Sequence, residues 1–182
     1  MEIETSRLNL RLYKSDDYQE WYNGHDNRLP SQYLYDDGRP ETIEKYTEAW
    51  FHDRVKHWHK LASDDELYHL GIFRKSDGAH IGKIELYRIL RMDDQWAIMG
   101  YSIHNQYWKN GYATESVGAA IDVFFADLDF HRIELHINID NEPSIKLAKK
   151  TGFQYECTRK QFSFENGEWK DFFVYFRNRE EG

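Results

Sequence analysis

The stretch Tyr107-Trp108-Lys109-Asn110-Gly111-Tyr112-Ala113-Thr114-Glu115 carries the pattern most suited to chemistry in this chain. It joins an apolar strand pattern that ends near Ile103 to a helical pattern that begins near Thr114. A tight turn there leaves backbone N–H groups without partners at a helix start, where the helix dipole also favours negative charge. Such a turn suits a phosphate or pyrophosphate. Gly111 permits close backbone approach, Lys109 adds a cation, and Ala113 keeps the helix start free of bulk. On these residues alone, a plain strand-to-helix turn needing glycine for a positive φ explains the stretch equally well. Neither G-x-G-x-x-G nor Gly-Lys-Ser/Thr occurs here, so the dinucleotide-binding and P-loop readings fail.

Other residues with chemical potential read as structural. Cys157 is the only cysteine, which excludes an intramolecular disulfide and a thiolate metal set, and its strand setting suits packing better than nucleophilic attack. Among nine histidines, His52, His57 and His59 cluster on one helical pattern. Residues two apart do not share a helix face, and His52 and His59 are two turns apart, so no metal site is expected.

The elements that must position these groups follow from periodicity. Leu8, Leu10 and Leu12 alternate with polar residues in a strand from Ser6 to Tyr13, and Ser15-Asp16-Asp17 opens a first helix. Asn23 to Pro40 reads as a loop bearing Tyr33, Leu34 and Tyr35, and Glu41 to about Lys60 as a long second helix. Tyr68 to Arg74 and His80 to Leu90 form a hairpin around Asp77-Gly78, and Gln95 to Ile103 is the fourth strand. Val117, Ala120, Ile121, Phe124 and Phe125 define an amphipathic helix over Thr114 to Asp127. His131 to Asp140 is the fifth strand, Pro143 to Lys150 a helix that ends at Gly152, and Phe153 to Phe176 a hairpin around Asn166-Gly167. The tail from Arg177 to Gly182 reads as frayed. The sum is one α/β (α+β) domain over 1–182, with a mixed sheet of about seven strands and about four helices.

Trp108 to Ala113 resembles the Q/R-x-x-G-x-G/A motif of the GNAT superfamily of acyl-CoA-dependent N-acetyltransferases. His131-Arg132-Ile133-Glu134-Leu135, then Asn141-Glu142-Pro143-Ser144 and Thr151-Gly152-Phe153, are similar to a second run of that superfamily. Thr5-Ser6-Arg7-Leu8, Met99-Gly100-Tyr101 and Gly167-Glu168-Trp169-Lys170-Asp171 resemble its ribosomal-protein N-terminal acetyltransferase branch. The matches run in order over almost the whole chain.

The resemblance implies a GNAT fold with splayed fourth and fifth strands and acetyl-CoA as co-substrate. The amides from Lys109 to Thr114 would hold its pyrophosphate. Its pantetheine arm would add to the strand edges Gly100 to Ile103 and Leu135 to Ile139, with Asn141 contacting the arm. Ser144 matches the position whose hydroxyl protonates the leaving thiolate. The superfamily's usual bases are missing: Ser163 and Ile98 stand where relatives carry Glu, and Ala148 where others carry Tyr. Glu85, His104, Glu134 and His136 are the candidate bases on strand faces, with Glu85 and His136 the first to test. The expected reaction is acetyl transfer to a primary amine by direct attack in a ternary complex. The acceptor would be a protein N-terminal α-amine, a polyamine or an aminoglycoside-like amine. The alternatives are a non-catalytic acyl-CoA-binding module and, more remotely, a general phosphate-ligand binding protein.

Composition narrows the partners. With 24 Lys+Arg against 32 Asp+Glu the net charge is −8, which disfavours nucleic acid and favours a cationic acceptor. Asp36, Asp37 and Glu41 would steer such a cation, and Trp21, Tyr33, Tyr35 and Trp50 would line its cleft. The amino terminus reads as neither a signal nor a transit peptide, and no apolar run is long enough for a membrane span. The expectation is a cytoplasmic protein, monomeric or homodimeric.

Overall fold

A computed structural model describes residues 1–180. The strands are β1 (Glu2–Glu4), β2 (Leu8–Leu12), β3 (Leu67–Arg74), β4 (His80–Leu90), β5 (Trp96–Ile103), β6 (Arg132–Asn138), β7 (Gln154–Glu165) and β8 (Glu168–Asn178). The helices are α1 (Tyr18–Asp26), α2 (Glu48–Ser63), α3 (Tyr112–Ala126) and α4 (Glu142–Lys150). The strands form one sheet in the order β1-β2-β3-β4-β5-β6-β8-β7. Every pairing is antiparallel except β5 with β6.

Alternation puts side chains of opposite character on the two faces. Leu70, Ile72, Ile84 and Leu86 join Val117, Ala120, Ile121 and Phe124 of α3 in the main core. On the other face Tyr13 and Phe73 pack with Trp21 of α1 and Phe51 and Val55 of α2. Among the described residues no helix is long and apolar enough to cross a membrane.

Several boundaries differ from the sequence expectation. The sheet has eight strands rather than about seven, because the chain turns back at Thr5 and pairs Ile3 with Leu10. The second helix starts at Glu48 rather than Glu41, because the Thr47 hydroxyl accepts from the Trp50 N–H at 3.2 Å and caps it. It also runs on to Ser63. The last strand continues to Asn178, into the expected tail, because β6 pairs with it that far.

The fourth and fifth expected strands, β5 and β6, separate as the family resemblance implies. They pair only at Trp96 with Arg132, Ala97 with Ile133 and Ile98 with Glu134. β4 pairs with β5 as far as Ile103, and β8 with β6 as far as Asn138. Both strands therefore stay extended past the fork, each with one edge free of sheet partners.

A buried ion pair fixes α1 against the sheet. Arg11 on β2 donates from both terminal nitrogens to Asp17, each at 2.7 Å, and Asp17 also accepts from the Lys14 N–H. The guanidinium lies over the Phe73 ring at 4.1 Å. Removing one partner strands the other charge in a site with little water. Asp17→Ala is expected to destabilise the protein by about 3 kcal/mol, read as a lower urea midpoint at unchanged m-value.

Candidate functional site

The loop before α3 is built to leave amides free. Gly111 has φ +80° and Lys109 φ +64°, so the backbone reverses twice around Asn110. The Asn110 side chain folds back and donates to the carbonyls of Tyr107 and Trp108, each at 3.0 Å. Those bonds occupy carbonyls rather than N–H groups, and the amides at the helix start are left for an anion. A Cβ on Gly111 would meet only the Arg7 guanidinium, at 3.5 Å.

Arg7 explains why the amino-terminal motif belongs to the site. It donates to the Asn110 carbonyl at 3.0 Å and from Nε to Glu115 Oε2 at 2.7 Å, and it covers the Tyr112 ring. Burial pushes the Glu115 carboxyl up, but hydrogen bonds from Thr5 and Arg7 outweigh it and hold the group below its ordinary value.

A groove of about 690 Å³ starts at this loop, within the range of ligand pockets. Ile103, Trp108, Lys109, Gly111, Tyr112 and Ala113 form one wall, and Asn141, Pro143 and Ser144 of the α4 start form the other. The side chains of Asn110 and Thr114 are not part of this lining, and Asn110 is occupied as a brace. A second cavity of about 360 Å³ fills the fork between β5 and β6. It shares Tyr35, Asp37, Tyr101, Asn141 and Ser144 with the first, so the two adjoin along one passage. Asn141 caps α4, its Oδ1 accepting from the Ser144 N–H at 3.4 Å, which leaves the NH2 half of its amide for a ligand.

The candidate bases separate clearly. His136 lines the fork cavity, and its Nε2 lies 2.8 Å from Glu134 Oε2. Glu134 is buried, also accepts from Arg132 Nε at 2.8 Å, and so orients the imidazole rather than reaching the passage. Burial raises the Glu134 carboxyl, but the bonds from His136 and Arg132 pull it below its ordinary value overall. Glu85 lines neither cavity, and its carboxylate is held by Lys83 Nζ at 2.9 Å and lies 3.4 Å from His69 Nδ1. Its carboxylate lies on the sheet face beside Gly100, where a Cβ would come within 3.8 Å of Oε2. His104 lines the groove, but burial pushes its pKa well below the ordinary value, which makes it a weak base at neutral pH.

Sequence reading overlooked Tyr101 as a site residue. It lines both parts of the passage, and its hydroxyl donates to the Ser144 carbonyl at 3.4 Å. Burial raises its pKa to about 12, so it remains a proton donor.

The loop between α1 and α2 closes over the passage. Buried Asn105 pins it, accepting from the Leu29 N–H at 2.7 Å and donating to Asp36 Oδ2 at 3.0 Å. Asp36 also accepts from the N–H groups of Gln32 and Gly38. It is therefore a loop staple, not the free steering charge expected of it, whereas Asp37 is exposed and lines the passage. Tyr33 and Tyr35 reach across to Asn141 and Asp140, the latter through a hydrogen bond from the Tyr35 hydroxyl. Trp21 and Trp50, expected to line the same cleft, face a different cavity.

The histidines also regroup. His52 Nε2 and His59 Nε2 contact the carbonyls of Ser15 and Tyr13, and those that converge are His25, His80 and His104, whose ring nitrogens lie within 4.8 Å of one another. Nothing in their spacing along the chain signals this. Burial lowers the pKa of His25 to about 4 and holds His80 well below its ordinary value, so both are neutral at physiological pH.

Comparison with known proteins agrees with the geometry. The family model for the acetyltransferase (GNAT) domain matches residues 7–154. The chain is similar to the probable N-acetyltransferase YjcK of Bacillus subtilis, 33% identical over 126 residues, spanning 69% of this chain and 70% of that protein. It is 29% identical to the uncharacterized N-acetyltransferase YoaA of the same organism over 173 residues, spanning 95% and 94%. In fold it matches the ribosomal-protein-S5-alanine acetyltransferase of Vibrio fischeri, with TM-score 0.79 at 22% identity over 98% of this chain and 96% of that one. The forked sheet, the anion-ready loop and these matches lead to one conclusion: the chain belongs to the GNAT acetyltransferase family and is an N-acetyltransferase that uses acetyl-CoA.

Proposed function

We propose that this enzyme transfers the acetyl group directly to a primary amine, with both substrates bound together in the passage. The observation that carries the proposal is that the groove at the Lys109–Thr114 loop adjoins the cavity in the fork between β5 and β6, with five residues lining both. The loop amides hold the pyrophosphate, with Lys109 beside them. The free edges Gly100 to Ile103 and Leu135 to Asn138 offer main-chain groups to the pantetheine amides, an intermolecular strand addition. Trp108 Nε1 already donates to the Ile103 carbonyl at 2.7 Å, which fixes the end of that edge.

The reacting amine must first lose a proton, since an ammonium has no lone pair. His136, oriented by buried Glu134, is the group suited to accept it, directly or through water. The amine nitrogen then bonds to the thioester carbon as the C–S bond breaks. A β5 N–H at the free edge steadies the negative charge growing on the carbonyl oxygen. The Ser144 hydroxyl gives its proton to the departing sulfur and takes up the second proton that the newly acylated nitrogen must shed, so the products are a neutral amide and a free thiol. Exposed Asp37 at the passage favours an acceptor that arrives as an ammonium. Protein N-terminal α-amines, polyamines and aminoglycoside-like amines all meet that requirement. A non-catalytic acyl-CoA-binding role would leave the His136–Glu134 pair and Ser144 without a purpose at the fork.

Thiol release from acetyl-CoA over an amine panel tests the reading; CoA binding with no turnover on any amine would refute it. Gly111→Val forces a branched residue into a positive φ and pushes bulk at the amides, so its calorimetric Kd for CoA should rise at least ~30-fold with far-UV circular dichroism unchanged. Ser144→Ala should lower kcat by about 10- to 100-fold while the acetyl-CoA Kd moves less than about twofold. Equal rates in the variant would reduce Ser144 to a helix-start residue.

A further inference from the structure

Behind the passage lies a separate cavity of about 150 Å³, walled by Tyr13, Trp21, Trp50 and Trp58. Arg28, His25, His80 and His104 face it, and Arg28 and His104 also line the passage, so the two spaces share a wall. Among the described residues six buried side-chain polar atoms lack a hydrogen-bond partner. Three of them belong to this wall: Arg28 Nε, His80 Nδ1 and His104 Nδ1. Buried polar groups in folded proteins nearly always find partners, so several orphans in one cavity point to an occupant that completes them.

The orphans define the occupant's chemistry. A guanidinium has five N–H donors and no acceptor. The Arg28 side chain makes one long bond, to the Gly38 carbonyl at 3.4 Å; Asp37 and Asp36 of the covering loop are the acidic groups that act on it, neither in an ion pair with it among the described residues. Tyr13 is fully buried and lies 2.9 Å from His80 Nε2; when its hydroxyl donates there, the imidazole proton sits on Nδ1, on the side of the ring next to Gly24 of α1. His25 uses Nδ1 on the Trp21 carbonyl at 2.8 Å. Lys83 also lines the cavity, already paired with Glu85.

Three neutral imidazoles would suit a divalent cation by count alone. Here such an ion would share a small space with Arg28 and Lys83, and no Asp or Glu lines the cavity to offset it. An anion satisfies the guanidinium and the imidazole N–H groups together, and a planar carboxylate matches the guanidinium fork.

We propose that Arg28, assisted by His80 and His104, binds a carboxylate on the acceptor, so that the enzyme acetylates amines bearing a carboxylate, with a free α-amino acid as the simplest case. The inference rests on the acetyl-transfer reading above and narrows its acceptor. The ammonium end lies in the passage near Asp37 and the carboxylate end reaches the shared wall.

The experiment compares standard L-amino acids with their carboxamides, which keep the amine and side chain but lose the negative charge. With the full chain and acetyl-CoA, the best amino acid should exceed its carboxamide by at least ~30-fold in kcat/KM, the scale expected for pairing a buried guanidinium. Arg28→Met should bring the two within about threefold, and Arg28→Lys should recover part of the preference. Carboxamides or carboxylate-free polyamines that match the amino acids in the wild-type protein overturn the proposal, whether or not the variants fold. Calorimetric titration of the same amino acids into CoA-loaded protein needs no turnover. Binding there without acetylation of any amine sinks the transfer reading and keeps the carboxylate site, while absence of binding sinks the site. One-to-one Zn2+ uptake by chelator-treated protein, in place of amino-acid binding, assigns the cavity to a cation and overturns the proposal.

Discussion

Two neighbouring strands that pair for three residues and then part determine most of what this molecule can do. Backbone N–H and C=O groups demand partners, and a sheet that opens in its interior leaves rows of them unmatched. The opening survives because β4 and β8 hold the outer edges of the two strands, so the gap does not unravel the sheet. α4 begins soon after the end of β6, and α3 after the loop that follows β5. Both helix starts therefore meet at one mouth, and with them the anion-ready loop, Asn141 and Ser144.

Electrostatics sorts the surfaces around that mouth despite the chain's net charge of −8. The loop before α3 is positive by geometry rather than by composition, through backbone amides at a helix start and one lysine. Acidic side chains in the covering loop divide between roles: Asp36 is consumed by backbone amides and Asn105, while Asp37 faces the passage. Net charge alone points to a cationic acceptor. Arg28 sets a half-buried positive group in the wall of the same passage, which the global balance conceals.

Local periodicity made the secondary structure legible, because alternation and the 3.6-residue repeat report which face is buried. The α3 pattern and the β6 alternation translate directly into core contacts, and motif order made the forked sheet and the loop readable. Helix ends depended on single hydrogen bonds, as Thr47 illustrates, and these leave only a weak trace in the apolar pattern. Interactions between distant segments left none. Arg7 bracing Glu115, Asn105 pinning residue 29, and residues 25, 80 and 104 converging are products of topology. For Glu85 likewise, strand position identifies its face, but not the Lys83 and His69 partners beside it.

The tyrosine bridge over the passage has a kinetic meaning. Tyr35 to Asp140 and Tyr33 to Asn141 tie the covering loop to the far wall, which makes a trench into a conduit. A long, thread-like substrate enters a conduit end-on or waits for its roof to lift. Asn105 adds to their hold by pinning residues 29, 30 and 36, so lifting the roof costs all of these bonds together. The open ends therefore offer such a substrate the easier way in.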